Sequence, residues 1–298
     1  MTLSLTGIFG PVTTPFVAGG EIDSKKFAAN IKAHIEAGLD GVVVGGSTGE
    51  AALLDEAERS SLVEIARDVV PRNKTVIVGA GAESTRAAIR LAKNAAARGA
   101  DAVLVVAPHY YSSSMTAPAL LRHYRSIADA SEVPVILYNI PKYMHFSLPN
   151  ELVADLARHP NVIGIKDSSG NKEILAGFMG SRSPSFSVLV GNGAILNHAL
   201  MTGAAGGILG VSLFAPSLAL EVYATFRRGD QGTATFVQER LAPLHTKIVA
   251  ELGVAGVKAA MDAVGLAGGP TRSPLLPLGE TQRREVESLL ETAELVAA

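Results

Sequence analysis

"NVIGIKDSSG", residues 161–170, is a short apolar run that ends on a lysine. Val162, Ile163, Gly164 and Ile165 suit a covered strand, yet Lys166 and Asp167 follow at once and a Ser-Ser-Gly turn closes the run. Alone, the stretch reads as a strand that has reached the surface with Lys166 in water, because lysine is mostly exposed. Its surroundings change that reading. Similar runs are "GIFGPV" (7–12), "GVVVGG" (41–46), "KTVIVGAG" (74–81), "DAVLVVAP" (101–108), "PVILYNIP" (134–141), "FSVLVGNG" (186–193) and "GGILGVS" (206–212). With "VIGIKD" (162–167) they make eight, all lacking polar alternation, as expected of parallel strands covered on both faces.

Amphipathic, alanine-rich segments lie between most of the runs. "DSKKFAANIKAHIEAG" offers Asp23 or Ser24 as a cap and Gly38 as a stop. "DEAERSSLVEIARDVV" opens on Asp55 with Glu58 three residues on, and ends before Pro71. Eight βα units in order predict an α/β fold of the closed (β/α)8, or TIM-barrel, kind. An open doubly wound sheet is disfavoured because "GAGAES" after the third run is not a G-x-G-x-x-G match. Residues 1–214 are expected to supply the barrel. Residues 215–298 are expected to supply a closing helix and a C-terminal helical extension of the same domain.

Composition bounds the function. Of 298 residues, 48% are hydrophobic and only 18% charged, which points to a large core or covered subunit faces. The net charge is −2 with no basic stripe, which argues against a nucleic-acid partner. Absence of cysteine removes disulfides, thiolate nucleophiles and thiolate-bound metals. The start "MTLSLTGIFGPVTTPF" has no secretory pattern, and no apolar stretch approaches the ~20 residues of a membrane span. A soluble cytoplasmic protein, not bound to membrane, is expected.

In a barrel of this kind, catalytic groups stand at the carboxyl ends of the strands. Lys166 lies at such an end, so the surface reading gives way to a reactive one. In a dry, apolar mouth the charged form of a lysine is disfavoured, and a neutral amine attacks a ketone or aldehyde to give a Schiff base. The protonated imine withdraws electrons, which allows C–C bonds to be made or broken, or water lost, without a metal. Tyr138 ends the preceding strand and reads equally as a proton carrier or as a packing tyrosine. "GGSTGE" (45–50) offers two hydroxyls and free backbone N–H groups suited to a carboxylate, although ordinary capped turns look similar. Glu50 reads as a charge at a helix start.

His34, His123, His159, His198 and His245 fall in helical segments and read as solvated or packed, while His109 and His145 fall in loops near the mouth. The strand ends supply only Glu50, His109 and Asp167 as metal ligands, on separate loops, so no metal and no cofactor are expected. A minor reading has the glycine-rich ends of strands seven and eight holding phosphate, with Lys166 serving a phosphosugar or pyridoxal phosphate.

Together, "GGSTGE", "YNIP" and "GIKDSSG", in that order and spacing, resemble the N-acetylneuraminate lyase/dihydrodipicolinate synthase superfamily of pyruvate-type class I aldolases. The resemblance covers nearly the whole chain and implies a homotetramer built as a dimer of dimers. Carried over, Lys166 matches the Schiff-base lysine and Tyr138 the proton-relay tyrosine. Ser47 and Thr48 match the hydroxyls that hold the carboxylate of a 2-oxo acid, Gly49 a backbone contact and Ile208 the pyruvate-pocket wall. Tyr111, or its neighbour Tyr110, matches a tyrosine that enters a neighbouring protomer's site. One departure bears on substrate. Enzymes that make dihydrodipicolinate resemble "YN-x-P-x-R", whereas "YNIPKYMHF" places Tyr143 where the arginine would be, and Lys142 lacks its bidentate fork. "PHYYSSSM", "GAGAEST" and "ERLAPLHTKIVAELGVAGVKAAMDAVGLAGGPTRSPL" (239–275) look most like 4-hydroxy-2-oxoglutarate aldolases, in which a serine two places after the lysine, here Ser168, helps at the site. The expected reaction is release of pyruvate and glyoxylate from 4-hydroxy-2-oxoglutarate. The alternatives are 4-hydroxy-tetrahydrodipicolinate synthesis, a 2-keto-3-deoxy sugar acid aldolase or dehydratase, and a catalytically silent keto-acid sensor. Lys142, Tyr143, Ser168 and Ser212 are the residues expected to choose the partner.

Overall fold

Eight parallel strands pair in sequence order and close on themselves: β1 (Gly7–Pro11), β2 (Gly41–Val44), β3 (Thr75–Gly79), β4 (Ala102–Val106), β5 (Val135–Asn139), β6 (Val162–Asp167), β7 (Ser187–Val190) and β8 (Gly206–Ile208). The computed structural model describes Leu3 and residues 5–297. The predicted (β/α)8 barrel is therefore the fold. Side chains of β2, β5 and most of β4 are buried on both faces of the sheet, which is why these strands read as unbroken apolar runs. Closure falls between β1 and β8, where Gly7, Ile8 and Phe9 register with Gly206, Gly207 and Ile208. A Cβ on Gly206 would stand 1.9 Å from the Gly7 carbonyl oxygen, so this contact requires glycine.

The helices start where the capping chemistry predicts. Asp23 accepts from the Lys26 N–H at 3.0 Å and opens helix Ser24–Glu36, and Gly38 beyond it has φ of +107°. Asp55 and Glu58 form a reciprocal capping box, each carboxylate accepting from the other's N–H, and the helix runs Glu56–Val69 up to Pro71. Beyond β8 come helices Pro216–Arg227, Gln231–Leu244, Gly253–Ala263 and Glu280–Thr292. Between the second and third of these the chain takes a π-helical turn, His245–Glu251, just after Pro243 inside the preceding helix. Proline removes a backbone donor and disturbs the regular ladder, which favours such a turn. No described helix is long and apolar enough to cross a membrane.

Three histidines are buried: His34 in helix Ser24–Glu36, His123 in helix Ala117–Ala130, and His245. Burial pushes each of their pKa values down from 6.5 to about 4. Between these two values the unfolded chain takes up protons that the native chain excludes, so stability falls as pH drops from 6.5 toward 4. Each histidine accounts for a loss of about 3 kcal/mol at most. Asp167, raised by burial, acts in the opposite direction as one group against three. Denaturant unfolding at pH 7 and pH 5 should show lower stability at pH 5, and equal stability at both would contradict this.

Candidate active site

The carboxyl ends of the strands surround a cavity of about 210 Å³. Parallel pairing of β5 with β6 sets Tyr138 opposite Lys166 and Asn139 opposite Asp167. Because side chains alternate along a strand, each pair shares a face. The Tyr138–Lys166 pair lines the cavity. Lys166 is only 5% exposed, and its Nζ lies over the Tyr138 ring, 4.4 Å from the centroid. This amine is turned into the barrel mouth, away from bulk solvent.

The other pair holds the frame. Asn139 Nδ2 donates to Asp167 Oδ1 at 2.8 Å, and Asn139 Oδ1 accepts from the Leu148 N–H at 3.0 Å. Ser169 donates to Asp167 twice, through its N–H at 3.1 Å and its hydroxyl at 2.8 Å. Asp167 is fully enclosed, and burial raises its pKa against the pull of these hydrogen bonds. The "YN" and "KD" dipeptides thus divide the work, one residue facing the cavity and the next tying β5, β6 and the turn together.

Ser47 and Thr48, half-buried, stand on the cavity wall, as do Ile208 and Ser168. Ser168 and Lys166 both rest on Gly191, where a Cβ would lie 1.9 Å from Ser168 Oγ and 2.9 Å from Lys166 Cε. Gly191→Ala is therefore expected to displace the amine and lower kcat/KM about 10²-fold, since ångström misplacements have effects of that size. Thermal unfolding should change little, and steady-state kinetics beside a melting curve would check both parts.

Several expectations are corrected. Gly49 is not on the wall: its N–H donates to the Gly46 carbonyl in its own loop at 3.1 Å, and its carbonyl accepts at 2.7 Å from Thr14 Oγ1 in the segment after β1, so both polar groups are used. Ser212 is fully buried, donates to the Leu209 carbonyl at 2.7 Å and does not reach the cavity, whereas Lys142 and Tyr143 do. The expectation for Tyr110 and Tyr111 concerns a neighbouring protomer and is not among these corrections: they are 77% and 69% exposed, stacked edge-to-face at 5.0 Å, and stand outside the cavity of their own chain. His109 pairs with Glu83 at 3.2 Å rather than entering the site.

Glu50 stands at the start of the short helix Ala51–Leu53, as read, but its side chain makes no cap there. It has φ of +58°, is 3% exposed, and its carboxylate meets Lys258 Nζ at 2.5 Å and the Arg272 N–H at 2.8 Å. Lys258 also donates to the Pro270 carbonyl at 2.7 Å, and its Nζ lies over the Phe16 ring at 4.5 Å. Burial lowers the Lys258 pKa against the opposing pull of Glu50. The ion pair thus anchors the Gly46–Gly49 loop to helix Gly253–Ala263.

His245 was missed as a site residue. It lines the cavity at 4% exposure, and its Nδ1 accepts the Gly193 N–H at 3.1 Å. Its low pKa comes first from burial and then from the charge of Lys166. The signals were faint: a lone histidine in the apolar "LAPLHTKIV", two residues after a helix-interior proline.

The sequence pattern of the Dihydrodipicolinate synthetase family matches residues 4–293. The chain belongs to that family. Members work through a Schiff-base lysine without metal, and the chain is accordingly a lyase of the class I aldolase type. A 4-hydroxy-tetrahydrodipicolinate synthase of Acidiphilium cryptum is 36% identical over 96% of this chain and 97% of its own length. One from Methanoculleus marisnigri is 33% identical over 95% and 98%. Among solved structures, YagE, a prophage protein of the family from E. coli K12 in complex with pyruvate, superposes with a TM-score of 0.92 at 31% identity, covering 98% of this chain and 99% of that one. The dihydrodipicolinate synthase of Acinetobacter baumannii complexed with pyruvate gives 0.93 at 32% identity, covering 98% and 100%.

Proposed function

We propose that the chain forms a Schiff base between Lys166 and the 2-oxo group of pyruvate or a pyruvate-derived acid. The observation that carries this reading is the buried Lys166 amine over the Tyr138 ring, in one cavity with Ser47 and Thr48. The amine adds to the keto carbon and water leaves. The acid's carboxylate rests on the Ser47 and Thr48 hydroxyls, with Ile208 beside the methyl-derived carbon. In the cleavage direction, the C–C bond beyond that carbon breaks and its electrons move into the iminium, leaving an enamine. Tyr138 carries the proton from the departing hydroxyl and returns one to the enamine, and water then releases pyruvate. Condensation is the same path reversed.

The partner aldehyde has two readings. The names of the relatives favour condensation to 4-hydroxy-tetrahydrodipicolinate. On that ground it is the better supported of the two. The cavity wall favours the other, cleavage of 4-hydroxy-2-oxoglutarate to pyruvate and glyoxylate, since among the described residues it carries Lys142 and Tyr143 but no arginine. The two part on one measurement with purified protein. Product formation from pyruvate plus the amino aldehyde that yields 4-hydroxy-tetrahydrodipicolinate is set against glyoxylate release from 4-hydroxy-2-oxoglutarate. Sugar-derived 2-keto-3-deoxy acids and N-acetylneuraminate serve as controls, and the larger kcat/KM assigns the substrate.

The exposed Tyr110–Tyr111 pair fits a homotetramer in which Tyr111 or Tyr110 completes a neighbour's proton path. A cytoplasmic setting accords with such a metabolic role.

A further inference from the structure

The cavity has a half that the pyruvate chemistry does not use. Beyond Lys166 its wall passes from Gly191 and Asn192 to the π-helical turn His245–Glu251. A π turn re-aims side chains relative to a regular helix and recurs at functional sites. Here it sets His245 on the wall and fixes which ring nitrogen carries hydrogen. A backbone N–H can only donate, and that of Gly193 donates to Nδ1, so the neutral ring has its hydrogen on Nε2. No group among the described residues bonds Nε2, which leaves one uncharged donor on a side chain enclosed to 4% exposure.

The remaining cation on this side is Lys142, which lies further out and already donates to the Ala250 carbonyl at 2.7 Å. Among the described residues no arginine lines the cavity to take a second carboxylate. Both candidate aldehydes carry a carboxylate and so require a partner for it in this half, because a carboxylate enclosed without donors is strongly disfavoured.

We infer that His245 is a specificity-determining residue, whose Nε2–H donates to a carboxylate oxygen of the aldehyde partner. The inference rests on the pyruvate Schiff-base reading and holds for either aldehyde. A neutral donor also leaves the Lys166 amine without a second cation beside it. A merely structural histidine would act through Nδ1 alone, as a cap on the Gly193 N–H.

Two near-isosteric variants separate the roles. In His245→Gln the side-chain amide reaches the place of Nε2 and keeps a donor. In His245→Asn the shorter amide reaches the place of Nδ1, can still accept from Gly193, and loses the donor. Cleavage of 4-hydroxy-2-oxoglutarate and condensation of pyruvate with the amino aldehyde would be followed, using whichever the wild type performs, alongside borohydride trapping of pyruvate. Loss of a hydrogen bond to a charged group predicts that His245→Asn falls about 10- to 100-fold in kcat/KM, mainly through KM for the aldehyde-bearing substrate, with His245→Gln impaired about fivefold or less. Both should still trap pyruvate. Full activity of His245→Asn, or a deeper loss in His245→Gln than in His245→Asn, would assign His245 to the Gly193 cap and overturn the inference. Loss of trapping in both variants, with trapping intact in the wild type, would overturn it as well. A wild type that traps no pyruvate would instead sink the Schiff-base reading beneath it.

Discussion

Lys166→Ala is expected to fold and to lose activity by about 10³-fold or more in kcat, the scale seen when a covalent nucleophile is removed. The physical reason is that no other amine among the described residues can substitute. Lys142 lines the outer wall and donates to the Ala250 carbonyl, and Lys258 is locked against Glu50 with its side chain 1% exposed. The substitution deletes a side chain enclosed to 5% exposure, for which no hydrogen bond to another residue is seen, so no buried partner is stranded. Unchanged thermal unfolding together with the activity loss is the expected pattern, read by kinetics and a melting curve on one preparation. A Lys166→Ala protein with more than about a tenth of wild-type kcat would contradict the assignment, because a covalent route cannot survive loss of its nucleophile.

Lys258→Met is expected to lower stability by about 3–5 kcal/mol, the usual effect of leaving one member of a buried ion pair alone. Glu50 would then keep only the Arg272 N–H beside a carboxylate sealed from water. The loss should reach the site, because Glu50 follows directly on the loop that carries Ser47 and Thr48. Adding Glu50→Gln removes the stranded charge, so the double variant should recover much of the stability that the single one loses. Denaturant unfolding of both proteins is the check. A single-variant loss below about 1 kcal/mol would mean that the pair is solvent-screened rather than buried.

How much of this was legible in the sequence depends on distance along the chain. The barrel was legible because each βα unit is a local pattern: "GVVVGG" or "DAVLVVAP" declares a covered strand without reference to anything remote. The Lys166–Tyr138 pair was legible because strand ends in a parallel barrel converge by geometry, so two adjacent strands suffice to bring them together. The ion pair of Glu50 was not legible because its partner, Lys258, comes from the helical extension, and helical periodicity does not say which turn of a remote helix meets which loop. His245 escaped for the same reason, and because the π turn rotates the side chains that follow Pro243 away from where a regular helix would set them. Gly49 and Ser212 were placed in the site by their motifs. The structure instead spends their polar groups within the chain, on the Gly46 and Leu209 carbonyls and the Thr14 hydroxyl. Motif spacing locates a loop but not which of its N–H groups and hydroxyls remain free.

Everything turns on whether one enclosed amine bonds covalently to a keto carbon. Incubating the purified protein with pyruvate and borohydride, then locating the added mass by peptide mass spectrometry, tests this directly. The expected result is a reduced pyruvate adduct on Lys166, absent when pyruvate is omitted and absent in Lys166→Ala. An unmodified wild type, or the same adduct in Lys166→Ala, would contradict the mechanism.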